Sequence, residues 1–201
     1  MRIIGIDPGL TRCGVGVVSV SPRRKVTFEH VEVVTSAADT PLPERLLMLG
    51  EAIGRILDGN RPDALAIERV FAQQNLPSVM GVAQISGVVM FLAAQRGIPV
   101  TMYTPSEVKA QVTGYGNADK GQVTRMVTRL LGLDAPPKPA DAADALALAI
   151  THAWQLGRGG AAVVGAPRSG ISAQVRIPVT PGGETPAQRA WREAERRGAR
   201  K

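Results

Sequence analysis

Hydrophobic positions along the chain change period several times, and each change marks an element. Residues 2–6 make a short continuous apolar run broken by Asp7-Pro8-Gly9, which reads as a central strand ending in a turn. Residues 13–20 are rich in β-formers (Val15, Val17, Val18, Val20), and in 26–35 Phe28, Val31, Val33 and Val34 stand among polar residues. Three strands joined by short turns make an antiparallel meander. The period then changes: Leu46, Leu49, Ile53 and Ile56/Leu57 fall on one stripe of a helix over 43–57, with Pro43 suited to its first turn. A second apolar run, 64–67, stops on Glu68; a long, largely apolar helix over 78–96 is closed by Gly97. A fifth strand over 98–103 and helices over 105–111, 120–131 and 141–154 complete the body. The order βββαβαβα, followed by further helices, predicts an α/β domain over 1–156: a five-stranded mixed sheet with helices on both faces.

The segment 157–201 breaks this regularity. It holds eight glycines and four prolines and shows no sustained apolar period, so it reads as a disordered tail with room for one short helix over 186–197. It also carries nine Lys/Arg against three Asp/Glu, whereas 1–156 carries 15 against 14. Six of the seven net positive charges therefore belong to the tail, and a polyanion-binding face on the body must come from local segregation of charge. Mean hydropathy is near zero and no run approaches ~18 apolar residues, which excludes a membrane-spanning helix. The first apolar run is too short for a secretion signal, and a single cysteine excludes both a disulfide framework and a thiolate metal cage. The cytoplasm is the expected compartment.

Chemistry enters with the acids. Two apolar strands each end on a carboxylate, Asp7 and Glu68, and the helix between the third and fourth strands lets the two strands run parallel. As neighbours they would present both acids at one carboxyl edge, where open α/β sheets bind ligands. Taken singly, an Asp before Pro-Gly is an ordinary turn residue and a strand-terminal Glu is often just solvated. The third piece is ADAADALALA, in which Asp141 and Asp144 share a helix face ~4.5 Å apart along the axis. An N-cap role for Asp141 and a helix-dipole role for Asp144 are open alternatives, but they do not explain why Asp144 has such small neighbours. Clustered carboxylates repel unless cations neutralise them, and an oxygen-only donor set selects hard ions such as Mg²⁺ or Mn²⁺. Two such ions ~3.5–4 Å apart suit phosphodiester hydrolysis.

The motifs GIDPGLTRCGVGVV, AIERVFAQQN, VKAQVTGYGNADKGQV and ADAADALALAITH, in this order and spacing, resemble the RuvC family of bacterial Holliday-junction resolvases over residues 1–155. The resemblance implies an RNase H-like fold, a homodimer, and Mg²⁺-dependent symmetric nicking of four-way junction DNA that leaves 5′-phosphate and 3′-hydroxyl ends. It also implies the junction-binding and branch-migration proteins RuvA and RuvB as partners. The family's catalytic acids match Asp7, Glu68, Asp141 and Asp144; some relatives carry His at the position of Asp141.

Other residues gain roles from the resemblance that spacing alone leaves open. Phe71, in the polar segment after Glu68, is either a loop aromatic tucked onto the core or a platform for an unpaired base. Lys109 and Lys120 flank the loop Gly114-Tyr115-Gly116-Asn117 and look like the family's phosphate-contacting lysines. Arg125 and Arg129 share a helix face that is equally explained as solvated. Gly9, Gly14 and Gly16 match neither a P-loop nor a dinucleotide motif and read as turn and close-packing glycines. His152 reads as a helix-face or partly buried histidine, and Cys13 as a small core residue. Met80, Met90 and Phe91 lie on the apolar helix that the family places at a dimer interface; a buried core helix is the alternative. Three competing readings remain: a YqgF-type RNase H-like nuclease acting in RNA processing, a non-catalytic DNA-binding module, and a sugar- or acetate-kinase-like ATPase. The last requires a second glycine loop that the chain lacks.

Overall fold

The computed structural model describes residues 1–70, 76–156 and 163–164, and side chains within those ranges other than 76–78 and 163–164. Phe71 and nearly all of the expected tail lie outside the described residues. Three antiparallel strands open the chain: β1 (Arg2–Asp7), β2 (Arg12–Val20) and β3 (Val26–Thr35). Helix α1 (Leu42–Asn60) crosses back to β4 (Ala64–Glu68), which pairs parallel with β1, Ile6 opposite Ile67. Helix α2 (Leu76–Gln95) leads to β5 (Val100–Tyr103), parallel to β4. Three helices follow, α3 (Pro105–Thr113), α4 (Lys120–Leu131) and α5 (Ala140–Gln155), and then the two-residue strand β6 (Val163–Val164).

The sheet order is β3-β2-β1-β4-β5-β6. All five expected strands are present. The sixth adds a short antiparallel rung to β5, with Val100 opposite Val164, from within the segment read as disordered. Helix ends run past the expected bounds because caps, rather than periodicity, set them. Arg61 takes a left-handed conformation (φ 46°) and donates its N–H to Leu57 O, so α1 continues to Asn60. Gly114 (φ 80°) ends α3 in the same way, at Thr113.

Strand alternation divides the core between the two faces. Ile4, Ile6, Val15, Val17, Leu65 and Ile67 point toward α1 and α2, where Leu49, Ile53, Ile85 and Val89 fill the space. On the other face, Ile3, Val18, Ala64 and Ala66 meet α5 and the helices beside it, with Leu146, Leu148 and Ile150 buried. The second face is built from small residues. A Cβ on Gly5 would collide with the Ala145 carbonyl, and one on Gly14 with the Asp141 carbonyl. At Gly16 it would lie 2.8 Å from Leu146 N. Close approach of α5 to the sheet is therefore what the glycines and the alanine-rich helix provide, which supplies the missing reason for Asp144's small neighbours. Cys13 is fully buried, as expected of a small core residue.

Candidate active site

Period two also aims the acids. Gly5 faces α5, so Asp7, two residues on, points to the same side; Ala64 and Ala66 face α5, so Glu68 does too. Both are the last residues of their strands, which run parallel and adjacent. The first turn of α5 lies over this edge and brings Asp141 and Asp144. Asp141 is not the N-cap. The helix begins at Ala140 behind Pro139 with no side-chain cap, and the Asp141 carboxylate instead meets Arg12 Nε at 3.0 Å.

Asp7, Glu68 and Asp144 line one cavity of about 260 Å³ together with Lys109 and Lys120. Pro105, Val108, Val123 and Leu148 make its apolar wall. Lys109 comes from α3, positioned by a capping box in which Thr104 accepts from the Glu107 N–H and Glu107 accepts from the Thr104 N–H. Lys120 opens α4 behind a second capping box, Asp119 with Gln122, and its Nζ lies 3.3 Å from Asp144 Oδ2. A larger cavity of about 680 Å³ continues outward from Asp7 and Glu68 between the first turn of α3 and Val79 and Val82 of α2.

The electrostatics follow from crowding four acids at a half-buried edge. Burial, then the charges of Glu68, Asp144 and Asp141, push the Asp7 carboxyl up to about 7, against the pull of Lys120. Glu68 is raised by burial and by Asp144, with Lys120 and Lys109 opposing. Lys120 is raised in turn, chiefly by Asp144. The site thus carries more negative charge than its two lysines and Arg12 compensate.

The donors are all oxygens. Cys13 is buried in the opposite core. His30 pairs with Glu32 on the exposed outer strand, and His152 is buried against Tyr103, consistent with its reading as a partly buried histidine. Such a donor set fits a hard divalent cation. Among the described residues no three acidic, histidine or cysteine side chains already enclose an ion. Asp144 pairs with Lys120 inside the shared cavity, whereas Asp141, paired with Arg12, is the one of the four acids that does not line it.

Lys109 and Lys120 lie beside three of the four acids. Arg125 and Arg129 are exposed along α4. Arg12 is the residue that sequence reasoning missed, although a signal existed. It lies two positions before Gly14 and four before Gly16, on the strand face that meets α5.

The family model for crossover junction endodeoxyribonuclease RuvC matches residues 3–152. The chain is similar to the RuvC of Leifsonia xyli subsp. xyli, at 57% identity over all of this chain and 94% of the relative. Among solved structures it resembles Thermus thermophilus RuvC in complex with a Holliday junction substrate, at 37% identity and TM-score 0.77, covering 82% of this chain and 99% of that one. The yeast mitochondrial Holliday junction resolvase shares the fold at 15% identity and TM-score 0.55, over 77% of this chain and 80% of its own. The sheet with its parallel β1–β4–β5 core and α5 across one face is thus the RNase H-like architecture expected from the sequence. By family match, whole-length identity and shared fold, the chain belongs to the RuvC family of crossover junction endodeoxyribonucleases.

Proposed function

We propose that this chain resolves Holliday junctions by nicking two strands of like polarity at symmetric positions, with Asp7, Glu68, Asp141 and Asp144 as the ligands of two Mg²⁺ ions, for which Mn²⁺ can substitute. The observation that carries the reading is the convergence of three of these acids, from separate stretches of chain, on one cavity rimmed by Lys109 and Lys120. When bound, the ions supply an activated water and a counter-charge for the leaving oxygen. Asp7 and Glu68 form the rigid floor, since Asp7 is paired with Gly14 of β2 and Glu68 with Tyr103 of β5. Asp144 and Asp141 close from the helix side. Lys120 and Lys109 bind the scissile phosphate and stabilise the negative charge that grows on it. Phe71, three residues beyond Glu68, is assigned to stacking on an unpaired base near the junction centre.

Two cuts require two sites, and a two-fold homodimer supplies them. Met80 and Phe91 of α2 remain exposed in the single chain, which supports a partner on that helix. The domain over 1–156 carries the nuclease, and the basic segment 157–201 adds salt-sensitive, sequence-independent DNA affinity. Recombination and repair in the cytoplasm, with RuvA and RuvB delivering the junction, complete the proposal. Among the described residues no helix is long and apolar enough to cross a membrane. Glu68→Gln tests the assignment: nicking of a synthetic four-way junction in Mg²⁺ should be lost while junction binding in EDTA persists. Retained nicking would remove Glu68 from the metal site.

A further inference from the structure

Helix α5 packs against β1, β2, β3 and β4, and three of its contacts with the sheet bear on the acids. Its first turn lies on Gly14 of β2, its middle on Gly5 of β1, and its last turns reach β5, where His152 meets Tyr103. The first two are close steric approaches, and the partly exposed Arg12–Asp141 ion pair joins the first turn to β2 at 3.0 Å. The third is a buried, directional hydrogen bond. Tyr103 Oη and His152 Nδ1 are 2.8 Å apart, both residues are buried, and their rings meet edge to face with centroids 5.9 Å apart. Burial raises the phenol and lowers the imidazole, so both are neutral near pH 7 and the hydroxyl donates to Nδ1.

Tyr103 is also tied to the acid-bearing strand. It is the register partner of Glu68, and its carbonyl accepts the Arg69 N–H at 2.7 Å. One residue therefore grips the backbone beside Glu68 and, through its hydroxyl, the helix that carries Asp141 and Asp144.

We propose that Tyr103 and His152 are positioning residues for the metal site: their hydrogen bond sets the angle at which α5 crosses the sheet, and so the spacing of Asp141 and Asp144 from Asp7 and Glu68. This rests on the reading of the four acids as metal ligands. The lever is long enough to matter. Asp141 lies ~9 Å along the axis from the middle of the Gly5 contact, so a pivot of about 5° carries it roughly 0.8 Å. Metal–oxygen distances tolerate only about ±0.2 Å.

The test is Mn²⁺ binding by the full chain, measured by titration calorimetry well below the unfolding temperature. Tyr103→Phe keeps the ring and removes only the hydroxyl; His152→Gln moves the acceptor away from the Nδ1 position, and His152→Asn keeps one near it. Tyr103→Phe and His152→Gln should each weaken Mn²⁺ binding about tenfold or more, the size expected when a group that orients metal ligands is lost. His152→Asn should stay within about threefold of the unmodified chain, and junction binding in EDTA should not change in any of the three. A purely structural hydrogen bond would lower the melting temperature and leave Mn²⁺ affinity intact in either loss variant, and that result overturns the proposal. Should one loss variant fail to fold, the other decides. If the unmodified chain binds no Mn²⁺, the acidic site itself is misread and the proposal falls with it.

Discussion

Replacing Asp7 by Asn should destroy catalysis and, without metal, make the protein more stable. Asp7 ionises at about 7 in the folded chain against an ordinary value of 3.8, chiefly because it is buried and faces three other acids. The raised carboxyl keeps its proton longest in the native state. Its stabilising contribution is complete below pH ~4, falls as pH rises, and is lost once pH passes about 7. A shift of roughly three units corresponds to about 4 kcal/mol, an upper bound because the side chain and its neighbours relax. After relaxation, Asn at this position should gain about 1–3 kcal/mol at pH 8 in EDTA. At roughly 2–4 °C per kcal/mol for a domain of this size, the melting temperature should rise by about 2–12 °C. The assay is thermal and urea unfolding of both proteins from pH 4 to 8, in EDTA and in Mg²⁺. The advantage of Asp7→Asn should grow between pH 4 and 7 and then level off. Mg²⁺ should stabilise the unmodified chain and scarcely affect the variant, since only a native state that binds the ion gains from it. Equal stability at pH 8 in EDTA, with the same pH slope for both proteins, would refute the claim that the acids crowd one another.

Three further outcomes follow from the packing and charges around the site. Gly14→Ala should destabilise the domain by about 1–3 kcal/mol or more in urea unfolding, because the added methyl meets the Asp141 carbonyl, and cleavage should fall with it. Lys120→Ala should lower the single-turnover nicking rate by about 10²-fold while changing junction affinity little, if its role is to stabilise charge at the phosphate; a loss confined to binding would contradict that. Arg12→Ala should change stability by less than about 1 kcal/mol, since the Arg12 side chain is 60% exposed, and should tighten Mn²⁺ binding by freeing Asp141. Weaker Mn²⁺ binding by this variant would mean that Arg12 orients Asp141 rather than competing for it.

Much of this architecture was legible in the chain because strong periods and their interruptions coincide with function. The strand over 26–35 and the helix over 120–131 have the expected bounds, each being a uniform pattern between clear breakers. Asp7 and Glu68 were visible as acids ending apolar runs, and the parity of Gly5 and of Ala64 and Ala66 could have added which face they take. Contacts between distant segments were less accessible. The spacing of Arg12 from Gly14 and Gly16 gives its face of the strand but not its partner Asp141, 129 positions away, and nothing local to Tyr103 announces His152; both pairings depend on the angle at which α5 crosses the strands. The left-handed cap at Arg61 escaped for a different reason: a non-glycine residue with positive φ leaves no signature in hydrophobic spacing. Strand β6 consists of two residues, too few to show a period.

The central claim is that the acids gathered at the carboxyl edge of β1 and β4 hold divalent ions that cut a four-way junction. It is tested most directly by incubating the chain with a synthetic junction labelled on each strand in turn, with Mg²⁺, with Mn²⁺ and with EDTA. Paired nicks at symmetric positions on two strands of like polarity, in either metal and absent in EDTA, are the predicted result. Cutting that continues in EDTA, or that persists when Asp7 and Glu68 are both amidated, would contradict it.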